Sequence, residues 1–272
     1  PASPRPPVSS AAAAEAYATA DEATEQIYRL AERNELRAAA DLGRAAVVRF
    51  ADAPALWEAL GYVLRGSADY AGALDAYRHA YALNPASTEA VKGEALSLQR
   101  LGALGPAADL VQRHPGLEQD PDLRAILSEQ AAQELRYAEA IEVRGDREAA
   151  IAAALAKLDA LVQAAGGEIS AAQRGEAPPF DRIQANVLLR RDGEAVRRYE
   201  ALIAAGVQVP AYARLQVGGA YARLRQPQNA IPILVKLAEE RPLGRKLAAE
   251  WLKKYPRDPL GAKLLFEVGL SW

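Results

Sequence analysis

Residues 54–87 read PALWEALGYVLRGSADYAGALDAYRHAYALNPAS, and this stretch decides the fold. Its small residues allow two helices to approach closely, and its large apolar residues fill the groove between them. The small positions are Gly61, Ala73 and Ala80, and the large ones are Trp57, Leu60, Leu64 and Tyr77. Pro85 then ends the second helix. The stretch therefore predicts one complete helix–turn–helix unit, with Trp57 buried against Tyr77 and Ala73.

The spacing of these residues is that of the 34-residue tetratricopeptide repeat (TPR). The clearest second copy spans residues 211–243, although Arg214 replaces the large apolar residue of its fourth position. Its matching positions are Gly218, Tyr221, Ala230 and Pro242. Such repeats bury their apolar faces only by stacking on one another. We therefore predict an all-α, right-handed superhelical TPR solenoid over residues 20–272.

Three segments depart from the repeat rhythm. Residues 1–19, rich in proline, serine and alanine, predict a flexible lead-in of the kind that follows a removed export signal. Residues 121–166 predict a longer, atypical helix pair. Residues 168–179, with Gly175 and two prolines, predict an exposed and mobile loop.

Composition limits the function classes. The chain has no cysteine, which excludes disulfides and thiolate metal sites, and no apolar run long enough for a transmembrane helix, so we expect no membrane insertion by this segment. The formal net charge is −2, but residues 211–272 carry eleven basic and five acidic side chains. We interpret this basic end as a solvated helix face or a contact to an acidic element rather than a nucleic-acid site, because the aromatic stacking candidates within its basic cluster, Trp251 and Tyr255, are four residues apart and are expected to pack inward.

The sequence offers little catalytic chemistry. Its two histidines, His79 and His114, fall in different repeats, and no acidic residue stands at metal-ligand spacing from either. Neither a glycine-rich phosphate loop nor a nucleophile elbow occurs, and a glycosidase-type carboxylate pair would need an aromatic cleft that few aromatic residues could build. We therefore expect a non-catalytic protein without cofactor or metal.

The concave face of such repeats is lined by inner positions of each first helix. The residues predicted there are Glu58, Tyr62, Glu89 and Lys92, continued by Asp181 and Tyr212. Glu58 and Tyr62 stand where the carboxylate clamp of co-chaperones has lysine and asparagine, which argues against capture of acidic peptide tails. A tyrosine beside a carboxylate suits a sugar ring or a cationic ligand. The alternative is that these are ordinary solvated surface residues.

The order of segments from the atypical helix pair onward resembles one family. The shared motifs are an R-I-Q helix, a Y-x-x-L helix, a short loop and a turn reading x-Q-P-x-x-A. Here they are Phe180-Asp181-Arg182-Ile183-Gln184, Arg198-Tyr199-Glu200-Ala201-Leu202, Ala205-Gly206-Val207 and Arg225-Gln226-Pro227-Gln228-Asn229-Ala230. They resemble the periplasmic repeat region of the outer-membrane export porin for poly-β-1,6-N-acetyl-D-glucosamine (PNAG), a biofilm polysaccharide. Residues 183–198 look shorter than the family's helix hairpin, and the part after Pro242 does not continue in register.

This resemblance implies a periplasmic scaffold, tethered to the outer membrane in the full-length protein. It implies two partners: the periplasmic polysaccharide deacetylase and partly deacetylated PNAG on its way to the pore. Deacetylation exposes amines that are protonated near neutral pH, so the acidic excess of residues 1–210 would suit such a polymer. The alternative is a generic TPR protein–protein docking scaffold that binds no sugar, possibly of another exopolysaccharide secretion system.

Overall fold

The structure is a computed structural model that describes residues 17–239. Most of the predicted flexible lead-in, the basic end beyond Glu239 and Pro242 lie outside the described residues. The described residues contain thirteen α-helices and no strand. The helices are α1 Ala20–Glu32, α2 Leu36–Arg49, α3 Pro54–Gly66, α4 Tyr70–Leu83, α5 Thr88–Arg100, α6 Leu104–Gln112, α7 Pro121–Glu139, α8 Arg144–Ala164, α9 Glu168–Gln173, α10 Pro178–Leu188, α11 Asp192–Ala204, α12 Ala211–Arg223 and α13 Pro227–Glu239.

The helices form antiparallel hairpins of the tetratricopeptide type, which confirms the predicted fold class. Helices α1, α3 and α5 begin at Ala20, Pro54 and Thr88, each 34 residues after the one before. From α1 to α6 and from α10 to α13, each helix packs against the next helix along the chain. The chain divides into two compact units, Pro1–Leu127 and Ser128–Trp272, and α7 runs through the boundary between them.

One turn type closes most of the hairpins. In the turn after α3, Ala68 has a left-handed φ of 64°, its N–H donates to the Arg65 carbonyl, and the next N–H, of Asp69, donates to the Leu64 carbonyl. This pair of hydrogen bonds is the Schellman motif, which satisfies the last carbonyls of a helix. The same motif recurs with Asn34, Gly102, Arg190, Gly206 and Arg225 at the left-handed position. It reverses the chain within a few residues and keeps consecutive helices in contact.

Tyr77 is the central side chain of the first unit. It is fully buried, and a Cβ atom built on Gly93 would lie 2.2 Å from its ring, whereas one on Gly61 would lie 3.0 Å away. Glycine at these positions therefore makes room for the ring between α3 and α5. Ala73 and Ala80, on the same helix as Tyr77, are also fully buried.

Trp57 differs from the prediction that it is buried with Tyr77. It is half-buried at the edge of the core, where its indole ring stacks on His79 with a centroid separation of 4.5 Å. Its Nε1–H donates to the Ala51 carbonyl at 2.8 Å. An indole N–H needs a hydrogen-bond partner when it leaves water, and the carbonyl that serves it lies in the turn before α3. Pro85 follows α4 in an exposed turn, as the repeat pattern predicts.

The second unit has its own core around α10, α12 and α13. Ile183, Leu202 and Val217 are fully buried there. A Cβ atom on Gly218 would lie 2.5 Å from the Leu234 side chain, so this pair repeats the close approach seen at Gly93. Ala230 is buried in the same cluster, and the buried Tyr221 donates its hydroxyl hydrogen to Glu200 at 2.8 Å.

The exposed, mobile loop predicted for residues 168–179 is wrong. Residues Glu168–Gln173 form helix α9, and α10 already begins at Pro178. The prediction gave weight to Gly175 and the prolines, but Ala171 and Ala172 are buried in the core. Gly175, with a φ of 78°, makes the turn between α9 and α10, and Gly166 and Gly167, with φ of 81° and 105°, make the turn after α8. The hairpin that looked short in sequence is complete, with α10 and α11 joined by residues 189–191.

We expect Gly93→Ala to lower the free energy of unfolding by about 1–3 kcal/mol, because the new methyl group collides with the Tyr77 ring. Gly105→Ala is the matched control, since a Cβ atom there meets nothing within 4 Å. It should leave stability unchanged or raise it by up to about 1 kcal/mol, because alanine favours the helix. Chemical denaturation of both variants measures the difference. Equal effects of the two changes would contradict the packing role of Gly93.

Candidate functional site

Two half-exposed tyrosines lie in contact on the surface of the first unit. Tyr28 of α1 and Tyr62 of α3 have ring centroids 5.7 Å apart and planes tilted by 56°. They are separated by 34 residues, so they occupy the same position in consecutive repeats. Their exposed fractions are 38% and 43%, which leaves ring surface open to a ligand. Tyr62 was predicted from its inner-face position, whereas Tyr28 was missed although the same repeat register would have indicated it.

Two carboxylates lie close enough to Tyr28 to influence its hydroxyl. Burial raises the pKa of the Tyr28 hydroxyl, and the negative charges of Glu58 and Glu89 raise it further. Glu89 lies exposed in the first turn of α5. Tyr28, Glu58, Tyr62 and Glu89 thus form one surface cluster, which we call the tyrosine–carboxylate patch. Aromatic faces beside carboxylates attract cations, through the ring quadrupole and through direct charge pairing.

Glu58 also has a structural role. Its carboxylate accepts a hydrogen bond from the Ser87 hydroxyl, and the same hydroxyl accepts one from the Ala90 N–H as the N-cap of α5. The side chain is therefore half-buried and held in place. Glu89, which is exposed, is the better residue for probing the patch without disturbing the fold.

Tyr77 lies close enough to the patch for a charge in the patch to affect its pKa. Burial raises its pKa to about 12, Arg65 opposes this increase, and Glu89 and Tyr28 add to it. The Tyr77 hydroxyl is buried and makes no hydrogen bond of normal geometry with any residue in the described part of the chain. The core tyrosine that fixes the helix packing thus lies next to the exposed aromatic surface.

Lys92, predicted on the same face, is held in an ion-pair cluster instead. Its Nζ lies 2.7 Å from an Asp120 oxygen and 3.2 Å from an Asp122 oxygen. The hydrogen bond that Lys92 donates to Asp120 raises the Lys92 pKa. Burial acts to raise the Asp120 pKa, but hydrogen bonds from Lys92 and from backbone N–H groups outweigh it, and the pKa is lowered. Since Asp120 also caps the start of α7, the structure places Lys92 in a helix-anchoring contact.

Asp181 and Tyr212 lie in the second unit and bind each other. The Tyr212 hydroxyl donates to Asp181 Oδ1 at 2.7 Å, and Asp181 is only 7% exposed. Its Oδ2 is buried without a hydrogen-bond partner in the described part of the chain. Burial raises the Asp181 pKa, although the Tyr212 hydrogen bond and the charge of Arg136 oppose this effect. The prediction of a surface carboxylate is therefore wrong for Asp181, because Pro178, Pro179 and Phe180 are buried with it at the start of α10.

The two histidines have local partners. His79 stacks on Trp57, and His114 Nδ1 lies 2.8 Å from the Leu110 carbonyl and its Nε2 lies 3.3 Å from the Tyr81 hydroxyl. Within residues 17–239, no group of three histidine or acidic side chains could hold a metal ion. No helix in that range is both long and apolar enough to cross a membrane.

Comparison with solved structures finds TPR proteins. YrrB, described as a TPR protein with an unusual peptide-binding site, is 17% identical over 86% of this chain and 92% of its own, with a TM-score of 0.44. PilW, described as a widely conserved type IV pilus biogenesis factor, is 15% identical over 85% and 99%, with a TM-score of 0.43. A TPR protein from Parabacteroides merdae is 14% identical over 86% and 97%, with a TM-score of 0.40.

No protein-family model and no curated protein sequence matches the chain. Stacked helix hairpins of this type present extended surfaces that are available for binding.

We expect Asp181→Asn to change how stability depends on pH. Because the folded-state pKa of Asp181 lies above its unfolded value, this group stabilises the fold at low pH and loses that contribution as pH rises through the folded pKa. Asparagine cannot ionise but can still accept the Tyr212 hydrogen bond. The variant should therefore gain stability relative to the parent protein as pH rises from acid to neutral.

Thermal unfolding of both proteins across this pH range tests the expectation. Asp146→Asn, which changes an exposed aspartate of the same unit, serves as the control and should follow the parent protein. A stability difference between Asp181→Asn and the parent that is constant with pH would show that the pKa of Asp181 is the same in the folded and unfolded states.

Proposed function

We propose that this chain is a non-catalytic periplasmic scaffold of a biofilm exopolysaccharide export system. In this role it docks the polysaccharide deacetylase and guides partly deacetylated PNAG toward the outer-membrane pore. The observation that carries the proposal is the tyrosine–carboxylate patch, in which two exposed rings lie beside two carboxylates. The motifs around Ile183, Tyr199 and Pro227, which resemble the repeat region of PNAG export porins, support the same system.

The chemistry of the patch fits a glucosamine unit. A deacetylated unit carries an ammonium group, which Glu89 can pair with and which the tyrosine faces attract. The apolar face of the sugar ring can stack on Tyr28 or Tyr62. An acetylated unit keeps the ring but has no positive charge, so it retains only the stacking contribution. The patch should therefore prefer deacetylated over acetylated units.

Weak contacts suit this role better than tight ones. A polymer that must move toward a pore has to leave each site quickly, and several weak sites can retain it by their combined effect. Exposed contacts between a cation and an aromatic ring contribute about 0.5–1 kcal/mol each. This strength retains a long polymer but lets each unit exchange.

A generic protein-docking scaffold is the second candidate. The patch that accepts an ammonium sugar would also accept a lysine or arginine side chain from a protein partner, because the cation is recognised in the same way. The two candidates differ in whether a sugar oligomer by itself binds the chain.

We expect Glu89→Gln and Tyr62→Ala each to weaken binding of partly deacetylated β-1,6-N-acetylglucosamine oligomers about two- to fivefold, the loss of one exposed cationic contact. Glu32→Gln, which removes an exposed carboxylate at the end of α1, is the control and should bind like the parent protein. Isothermal titration at low and physiological salt provides the affinities. Binding should weaken as salt increases, since exposed charge pairs are screened beyond about 8 Å at physiological ionic strength.

Two results would contradict the sugar-binding role. One is equal affinity for fully acetylated and partly deacetylated oligomers. The other is an equal loss of oligomer affinity in Glu89→Gln and Glu32→Gln. In either case, a separate titration with the purified deacetylase decides whether the docking role remains. If neither the polymer nor the deacetylase binds, the proposed function is wrong as a whole.

A further inference from the structure

The second unit contains a cavity of about 610 Å³ beside the turn that joins α10 to α11. Four arginines contribute to its wall, together with the buried Asn186 and three carboxylates. The arginines are Arg190, Arg191, Arg197 and Arg198. We call this site the arginine cavity. It shares no residue with the tyrosine–carboxylate patch.

The carboxylates in the wall are already paired with arginines. Asp192 accepts two hydrogen bonds from Arg223, at 2.6 and 2.9 Å. Glu194 pairs with Arg197 and, at 3.1 Å, with Arg198. Asp159 lies 2.7 Å from Nε of Arg182, which is a further arginine behind the wall. All three carboxylates of the cavity wall are therefore paired with arginines.

Arg190 and Arg191 have no such partner. No carboxylate among residues 17–239 forms an ion pair with either side chain, and both residues are exposed. They are adjacent in the turn, and both contribute to the cavity wall. The cavity thus presents two available guanidinium groups, each able to bind a carboxylate through two parallel hydrogen bonds.

The backbone at Arg190 is in a conformation that glycine would adopt more easily. Its φ is 58°, and it occupies the left-handed position of the Schellman turn after α10. At the same position in the turn after α11 the chain has Gly206. A non-glycine residue in this conformation costs some stability. Asn34, Ala68 and Arg225 occupy the same turn position elsewhere in the chain, so the turn does not depend on the side chain of Arg190 and accepts glycine there.

We propose that the arginine cavity binds a carboxylate-rich segment of a protein partner, through Arg190 and Arg191. Planar guanidinium pairs match carboxylates, and a cavity of this size accommodates a few residues of an extended chain. A deacetylated polysaccharide is excluded as the ligand because its ammonium groups carry the same charge as the arginines. This inference rests on the docking part of the proposed function, and it is independent of polymer binding at the patch.

The test uses the full chain and a short blocked peptide of alternating glutamate and glycine. Its glutamine counterpart and inorganic phosphate are the comparison ligands. We expect the glutamate peptide to bind, and Arg190→Gly combined with Arg191→Gln to weaken that binding about tenfold, as the loss of charge-assisted bidentate contacts implies. The melting temperature of the variant should not fall, because glycine relieves the left-handed turn.

Arg225→Gly is the matched control. Arg225 occupies the same turn position after α12, with a φ of 59°, but does not line the cavity. Its replacement removes one positive charge and relieves the same backbone strain, so peptide binding should be unchanged. Both variants should bind the deacetylated oligomer as the parent protein does.

Three results would overturn the inference. Equal binding of the glutamate and glutamine peptides would exclude recognition of carboxylates. If the cavity variant and Arg225→Gly weaken binding of the glutamate peptide equally, the effect comes from the net charge of the protein and not from the cavity. Binding of phosphate without binding of the peptide would make the cavity a small-anion site. If any of these occurs while the oligomer still binds at the patch, the proposed function stands without this inference.

Discussion

The close approach of helices around Tyr77 is the constraint on which the first unit depends. The ring fits only because Gly61 and Gly93 carry no side chain, so α3 and α5 can both pack against it. This contact fixes the rotation of each helix about its axis, and the 34-residue repeat then carries the same rotation to the neighbouring hairpin. Tyr28 and Tyr62 meet on the surface as a consequence, because they stand at equivalent positions in two hairpins that are packed alike.

Much of the fold could be predicted from residues 54–87, because the repeat pattern records steric requirements that are local to one hairpin. The pattern predicts the burial of large side chains less reliably when they carry a polar atom. Trp57 has its indole N–H at a turn carbonyl and lies at the edge of the core, whereas Tyr77 is fully buried with its hydroxyl unpaired. Residues 168–179 were misjudged for a related reason, since glycine and proline also occur at helix boundaries inside packed structure.

The candidate site was predictable only in part. A position in the repeat indicates which face of the helix a side chain lies on, but not which other residues bind it. Tyr62 and Glu89 are exposed. Lys92 has the same kind of position, yet Asp120 and Asp122 at the start of α7 bind it, and these residues are too distant in sequence to be identified as partners from the pattern. Asp181 is buried because α10 begins with prolines packed into the core of the second unit, where the 34-residue rhythm is interrupted.

The candidate surface of the first unit suits a positively charged ligand, and that of the second unit suits a negatively charged one. The tyrosine–carboxylate patch attracts cations, whereas Arg190 and Arg191 attract anions. A cationic polymer and a carboxylate-rich protein segment would therefore not compete for one site, since each is repelled by the surface that binds the other. In the proposed function, this separation of ligands would let the scaffold hold an enzyme while the polymer moves past. Charge achieves it with exposed side chains alone, so the packing around Tyr77 need not change when either ligand binds.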